Sequence, residues 1–109
     1  MPPRQLALLQ GTLDLLVLKT IALGPLHGYA IATAILDRTG GALAIDDAAL
    51  YQSLHRLARQ RLVDAEWGAS ENNRRARYYE LTAEGRRRLR EQETDFRLYA
   101  RAVFAVLEG

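Results

Sequence analysis

Residues 46–82 read DDAALYQSLHRLARQRLVDAEWGASENNRRARYYELT, and the period of their apolar positions changes once along the way. Up to Leu62 it is helical. Leu50, Leu54 and Leu57 stand at i, i+4 and i+7, the spacing of one buried stripe. Asp46 and Asp47 offer caps at the start. With about 100° between successive residues, the opposite face carries Ala48, Ala49, Gln52, Arg56 and Arg59, with Tyr51 and His55 on the flank. That face has small residues first, then an amide, then two guanidinium groups. After Leu62 the pattern alternates: Val63, Ala65 and Trp67 point one way, Asp64 and Glu66 the other. Gly68 to Arg75 reads as a polar loop and Ala76 to Leu81 as a returning strand, which predicts a two-stranded hairpin. A loop that only closed a hairpin could be Asn-Gly. This one is longer, and it brings Asn72, Asn73, Arg74, Arg75 and Arg77 together.

Upstream, an apolar stretch from Leu13 to Leu23 follows Gly11-Thr12. Thr12 is the expected N-cap, Asp14 suits the first turn, and Leu13, Leu16, Val17 and Ile21 keep helical spacing. Gly24-Pro25 stops that helix. A second, short helix is expected from His27 or Gly28 to about Arg38, with Ile31 and Ile35 on one face and Gly40-Gly41 behind it. Downstream, Thr82 can cap a last helix, with Glu84 in its first turn, running from Ala83 to about Leu107. At about 1.5 Å per residue it would be roughly 37 Å long, more than a module of this size needs for its own core. Its apolar positions Leu89, Phe96, Tyr99, Val103 and Val106 follow a 3/4 alternation, with Gln92 in one slot. Such an exposed stripe asks for a partner, and a second copy of the chain is the simplest supplier.

The chain of 109 residues fits one folding unit, with 49% hydrophobic and 26% charged residues. It has no cysteine, which excludes disulfides, thiolate catalysis and cysteine-based zinc sites and suits a reducing compartment. No apolar run is long enough to span a membrane, and Met-Pro-Pro-Arg lacks a signal-peptide pattern, so the expected location is the cytoplasm. Net charge is +2 but unevenly spread. Residues 1–55 hold three basic side chains against four acidic ones, and residues 56–101 hold twelve arginines against eight acidic residues. A basic region on a balanced protein points toward a polyanion.

The order of elements, three short helices, a hairpin and a final helix, is that of a winged helix. The expected fold is mainly α with a small two-stranded β-hairpin: a winged helix-turn-helix over residues 1–81 and a long C-terminal dimerisation helix over residues 82–109. In that architecture the third helix enters the major groove and the hairpin tip lies along the backbone or minor groove. Arginines at the tip would reach phosphates or the negative potential of a narrow minor groove. Tyr78 and Tyr79 would root the wing, one ring on the core beside Leu81 and the other offering its hydroxyl outward.

Taken together, GTLDLLVLKT at 11–20, GPLHGYAI at 24–31, ALYQSLHRL at 49–57, EWG at 66–68 and RRARYYELTAEG at 74–85 resemble the PadR-like family of bacterial transcriptional regulators. The single C-terminal helix is similar to the compact subgroup of that family. The resemblance implies a homodimeric repressor whose C-terminal helices build the dimer and whose two recognition helices bind a palindromic operator in double-stranded DNA. It also implies release by a small hydrophobic or aromatic effector at or near the dimer interface. Carried over by residue, Ala49, Tyr51, Gln52, His55 and Arg56 fall in the recognition helix and Arg74, Arg75 and Arg77 in the wing; Arg59, Asn73 and Tyr78 join the expected DNA-binding set by their places on the helix face and the wing. The 3/4 stripe of Leu89, Phe96, Tyr99, Val103 and Val106 is the expected dimer seam. The family usually has Ser-Leu-Tyr-Pro where this chain has Ala49-Leu50-Tyr51-Gln52. That removes a hydroxyl and adds an amide able to read adenine. Drug-binding relatives use a tryptophan in the C-terminal helix as a stacking plate. Here Phe96 and Tyr99 are the aromatic side chains at seam positions.

Other features read more plainly. His27 and His55 are isolated, with no carboxylate cluster or cysteine beside them, so no metal, cofactor or catalysis is expected. His27 reads as a cap or turn residue. Trp67 reads as a core anchor where hairpin meets helix. Arg86, Arg87, Arg88 and Arg90 read as a solvated face paired with Glu84, Glu91 and Glu93. The alternative function is a winged-helix module that binds another protein and no DNA.

Overall fold

The computed structural model describes residues 4–9 and 11–109; Met1, Pro2, Pro3 and Gln10 lie outside them. The elements run α1 (Thr12–Thr20), β1 (Leu26–His27), α2 (Gly28–Arg38), α3 (Asp47–Arg59), β2 (Val63–Ala69), β3 (Arg75–Leu81) and α4 (Ala83–Glu108).

Three helices pack around one core. Val17 and Leu18 of α1, Ile21 just after it, Ile31 and Ile35 of α2, and Leu50, Leu54 and Leu57 of α3 are all buried there. Each fully buried leucine or isoleucine contributes about 1.5–3 kcal/mol, so the α3 stripe alone fixes how that helix lies on the other two. The Asp46 carboxylate caps α3 by accepting from the Ala49 N–H at 3.4 Å. Thr82 caps α4, its hydroxyl accepting from the Gly85 N–H at 2.9 Å. Thr12 does not cap α1. Gly11 holds that position with φ 84°, and Thr12 is the first helical residue, because the chain enters α1 through a left-handed turn that glycine takes without cost.

The sheet has three strands, in the order β1-β3-β2, rather than the expected two. Leu26 pairs with Tyr79 and His27 with Tyr78, so the start of α2 is tied to the hairpin. Two residues carry no readable period, which is why the sequence reads only as a turn there. The hairpin ladder continues to Ala69↔Arg75, leaving residues 70–74 as the tip. The tip is therefore shorter than expected, and Arg75 belongs to a strand. Asn73 turns the chain with φ 56°, its N–H donating to the Ser70 carbonyl at 2.9 Å. Asparagine is one of the few side chains that takes this conformation readily.

Leu89 belongs to the core of the protomer at 7% exposure, not to an outer seam as expected. The first turns of α4 are pressed onto the end of the hairpin. A Cβ at Gly85 would stand 2.0 Å from the Leu62 carbonyl oxygen, and that close approach brings Leu89 inward. Lys19 of α1 meets Glu93 of α4 at 2.8 Å. Beyond this the helix projects: residues 101–109 are all exposed. The radius of gyration is 15.1 Å, against about 13 Å for a compact chain of this length.

Candidate nucleic-acid interface

One face of the molecule joins α3 to the wing. A cleft there is lined by Tyr51, His55 and Arg59 from α3 and by Trp67, Arg75 and Arg77 from the hairpin, with Leu54, Ala65 and Tyr79 toward its floor. Alternation along β2 and β3 produces this arrangement. Trp67 pairs with Arg77 and Ala69 with Arg75, so the two guanidinium groups share a sheet face with the indole ring. The Arg75 guanidinium lies 4.4 Å from the Trp67 ring centre and that of Arg77 5.8 Å from it. These are cation–π distances.

Trp67 is thus not the core anchor expected. It points to the same side as Val63 and Ala65, but burial fades along the strand and the ring is 57% exposed. The core ends before the strand does, and arginines cover the ring instead. Arg74 stays at the exposed tip.

Tyr79 is buried, and burial pushes its hydroxyl above the ordinary tyrosine range, an effect the Arg77 charge reduces. The Tyr78 hydroxyl, at an exposed position, is already bonded within the hairpin. It donates to the Ala69 carbonyl at 2.8 Å and braces β3 against β2, while its ring meets His27 edge-on at 5.4 Å. His27 caps α2 through Nδ1, which accepts from the Ala30 N–H at 3.1 Å. A Cβ at Gly28 would touch the Tyr51 hydroxyl oxygen at 3.6 Å, so the first turn of α2 lies directly against α3.

Within α3 the expected residues separate. Ala49, Tyr51, Gln52, His55 and Arg59 are exposed or partly exposed along one side. Arg56 is engaged elsewhere. Its Nε donates to Asp14 Oδ2 at 3.1 Å and its Nη2 to Asp14 Oδ1 at 2.6 Å, a two-pronged pair with α1. Ser53, 0% exposed, donates its hydroxyl to the same Oδ1 at 2.6 Å. Burial pushes the Asp14 carboxyl up, but the hydrogen bonds from Arg56 and Ser53 and the Arg56 charge outweigh it and hold it below its ordinary value. The hydrogen bond to Asp14 raises Arg56 in turn. Sequence spacing missed Ser53 because a serine in an amphipathic helix counts as a surface residue. The signal was its place between Leu50 and Leu54 on the buried side.

A second surface lies between α1 and α4. Leu15, Leu16, Leu43, Phe96, Ala100 and Phe104 form an apolar groove there. Phe96 lines it as an expected seam residue and Phe104 joins it unforeseen, whereas Tyr99 is not among its lining residues and stands 65% exposed. Val103 and Val106 are also uncovered in the single chain. Among the described residues, no group of histidines and carboxylates could hold a metal, and no helix is long and apolar enough to cross a membrane.

Two short helices at the core, the second carrying a polar outer side, and a basic hairpin beside it define a winged helix-turn-helix, a class that binds DNA. Residues 17–91 match the Transcriptional regulator PadR-like family, and the chain belongs to that family. It is accordingly a DNA-binding transcription regulator and not an enzyme. A PadR family transcriptional regulator from Eggerthella lenta is 33% identical, with a TM-score of 0.77 over 91% of this chain and 84% of that one. A PadR-like transcriptional regulator from Bacillus cereus has the same fold, with a TM-score of 0.79 at 22% identity over 92% of this chain and 95% of that one. PadR of Bacillus subtilis in complex with operator DNA superposes with a TM-score of 0.66 at 20% identity, covering 74% of this chain and 46% of that one.

Proposed function

We propose that the protein is a cytoplasmic, homodimeric repressor that binds a palindromic operator through α3 and the wing. The observation that carries this reading is the cleft lined by Arg59 of α3 and by Arg75, Arg77 and the Trp67 ring of the hairpin. A duplex with α3 in its major groove would lay a phosphate backbone along that cleft. Arg59, Arg74, Arg75 and Arg77 supply charge for phosphates, and Gln52 supplies the amide for a base edge. Tyr51 and His55 stand beside that amide, Ala49 leaves room at the helix start, and Asn73 and Tyr78 shape and brace the wing.

The dimer reading rests on α4. Phe96, Tyr99, Val103 and Val106, joined by Phe104 and Leu107, leave a broad apolar side open to solvent on a projecting helix. A second copy would cover it and hold two α3 helices about 34 Å apart, one turn of DNA. A small hydrophobic or aromatic effector would enter the groove between α1 and α4 beside Phe96 and Phe104, where it could tilt the helices and change that spacing. The operator complex of the Bacillus subtilis relative supports the DNA partner.

Selection from a random-sequence duplex pool tests the reading. The expected enriched motif is an inverted repeat with half-site centres one helical turn apart. Enrichment of no motif, with the folded protein retained on an anionic resin, would leave the protein-binding alternative.

A further inference from the structure

Arg56 lines the same shallow groove as Tyr51, Gln52, His55 and Arg59, at the side of α3 assigned to DNA. A free guanidinium there would reach a phosphate as readily as a base. It is not free: Asp14 grips it at two points, and the same carboxylate is fixed by the buried Ser53 hydroxyl. We propose that Asp14, on a helix behind the DNA-facing surface, is a specificity-determining residue: it holds Arg56 off the phosphate backbone and so raises the preference of α3 for its operator over other DNA. The inference rests on the DNA-binding reading of α3 given above.

Phosphate contacts add affinity for every sequence alike, whereas base contacts add it only for some. Each cation withheld from the backbone lowers non-specific binding more than it lowers the share due to bases. The geometry makes the withholding firm. To leave Asp14, Arg56 would have to give up two charge-assisted hydrogen bonds and strand a partly buried carboxylate with Ser53 alone. Asp14 would also face approaching phosphates with a like charge. A carboxylate behind a recognition helix is otherwise a poor choice for a polyanion-binding protein.

The test is the salt dependence of binding to a mixed-sequence duplex and to a selected operator, with thermal melts of each variant. Asp14→Asn keeps an oxygen for Ser53 but removes the charge that holds Arg56. It should steepen the log–log salt slope on mixed-sequence DNA by about 0.9 for each further phosphate neutralised, one per protomer. Affinity for that DNA should rise several-fold, and the operator preference should fall. Glu91→Gln, the same change of charge on α4, should leave the slope alone, and Asp14→Asn combined with Arg56→Gln should return it to the wild-type value. An unchanged slope in folded Asp14→Asn, or an equal change in Glu91→Gln, overturns the inference. If Asp14→Asn melts without cooperativity, Arg56→Gln decides: a slope shallower than wild type would place Arg56 on a phosphate already. Should the wild type itself show no operator preference, the DNA-reading assignment fails with it. A selective wild type with an indifferent Asp14→Asn removes only the role of Asp14.

Discussion

Ser53 and Gln52 are neighbours in α3 with opposite fates. Ser53 is sealed in the core and satisfied by Asp14, whereas Gln52 stands in solvent with its amide free for a base. Burying a hydroxyl without a partner would cost about 1–3 kcal/mol, so Asp14 is part of what lets α3 sit this deep. The stabilisation from Asp14 depends on pH. Its folded-state value is depressed, so its contribution is present above the ordinary aspartate range and is lost as pH falls through the lowered folded value. Glu93, held down first by its hydrogen bond from Lys19 and then by Arg97, acts in the same direction between α1 and α4. In urea unfolding at a series of pH values, Asp14→Asn should be less stable than wild type near neutrality, and the gap should narrow below about pH 4. A gap that stays constant across that range would mean that the charge on Asp14 contributes nothing. Arg56 is partly exposed, so water and salt moderate the effect.

In the proposed reading, the two elements of the DNA face divide the work. Arg74 sits at the exposed tip of the wing and can only add charge. Gln52 sits mid-helix and can discriminate. Arg74→Ala should weaken binding to all duplexes about equally and flatten the salt slope, while Gln52→Ala should change the ranking of sequences more than the total affinity. Competition titrations with single-base operator variants read both, and identical profiles for the two mutants would refute the division. At this scale the sequence was largely legible. The leucine stripe of α3, the aspartate cap and the change to period two located α3 and the hairpin correctly. What failed to show was whatever depended on neighbours distant in sequence. The two-residue strand β1 exists only because β3 pairs with it. Trp67 lies on the face that alternation assigns it, but the core stops short of its ring. Arg56 has the right helical angle for DNA, yet α1 brings Asp14 within reach across 42 residues of chain.

The whole molecule is a compact helix-turn-helix body with one long helix leaving it, 53 Å in its greatest extent. Family resemblance and helix length both pointed to a seam on α4. The structure divides that stripe into an inner part, Leu89, which is buried in the core, and an outer part from Phe96 to Leu107, whose apolar side chains stay exposed in the single chain. The division follows from Gly85, where the absence of a side chain lets the first turn of α4 touch the Leu62 carbonyl. A projecting apolar helix on one side and a basic cleft on the other are what a two-fold regulator needs to place two reading heads on one duplex. The most direct measurement is a fluorescence-anisotropy titration of the DNA just upstream of the protein's own gene, with random DNA as competitor, at two salt concentrations. Tight binding that resists the competitor and weakens steeply with salt is the expected result. Weak binding that random DNA displaces equally well at both salt concentrations would contradict an autoregulatory operator read by α3 and the wing.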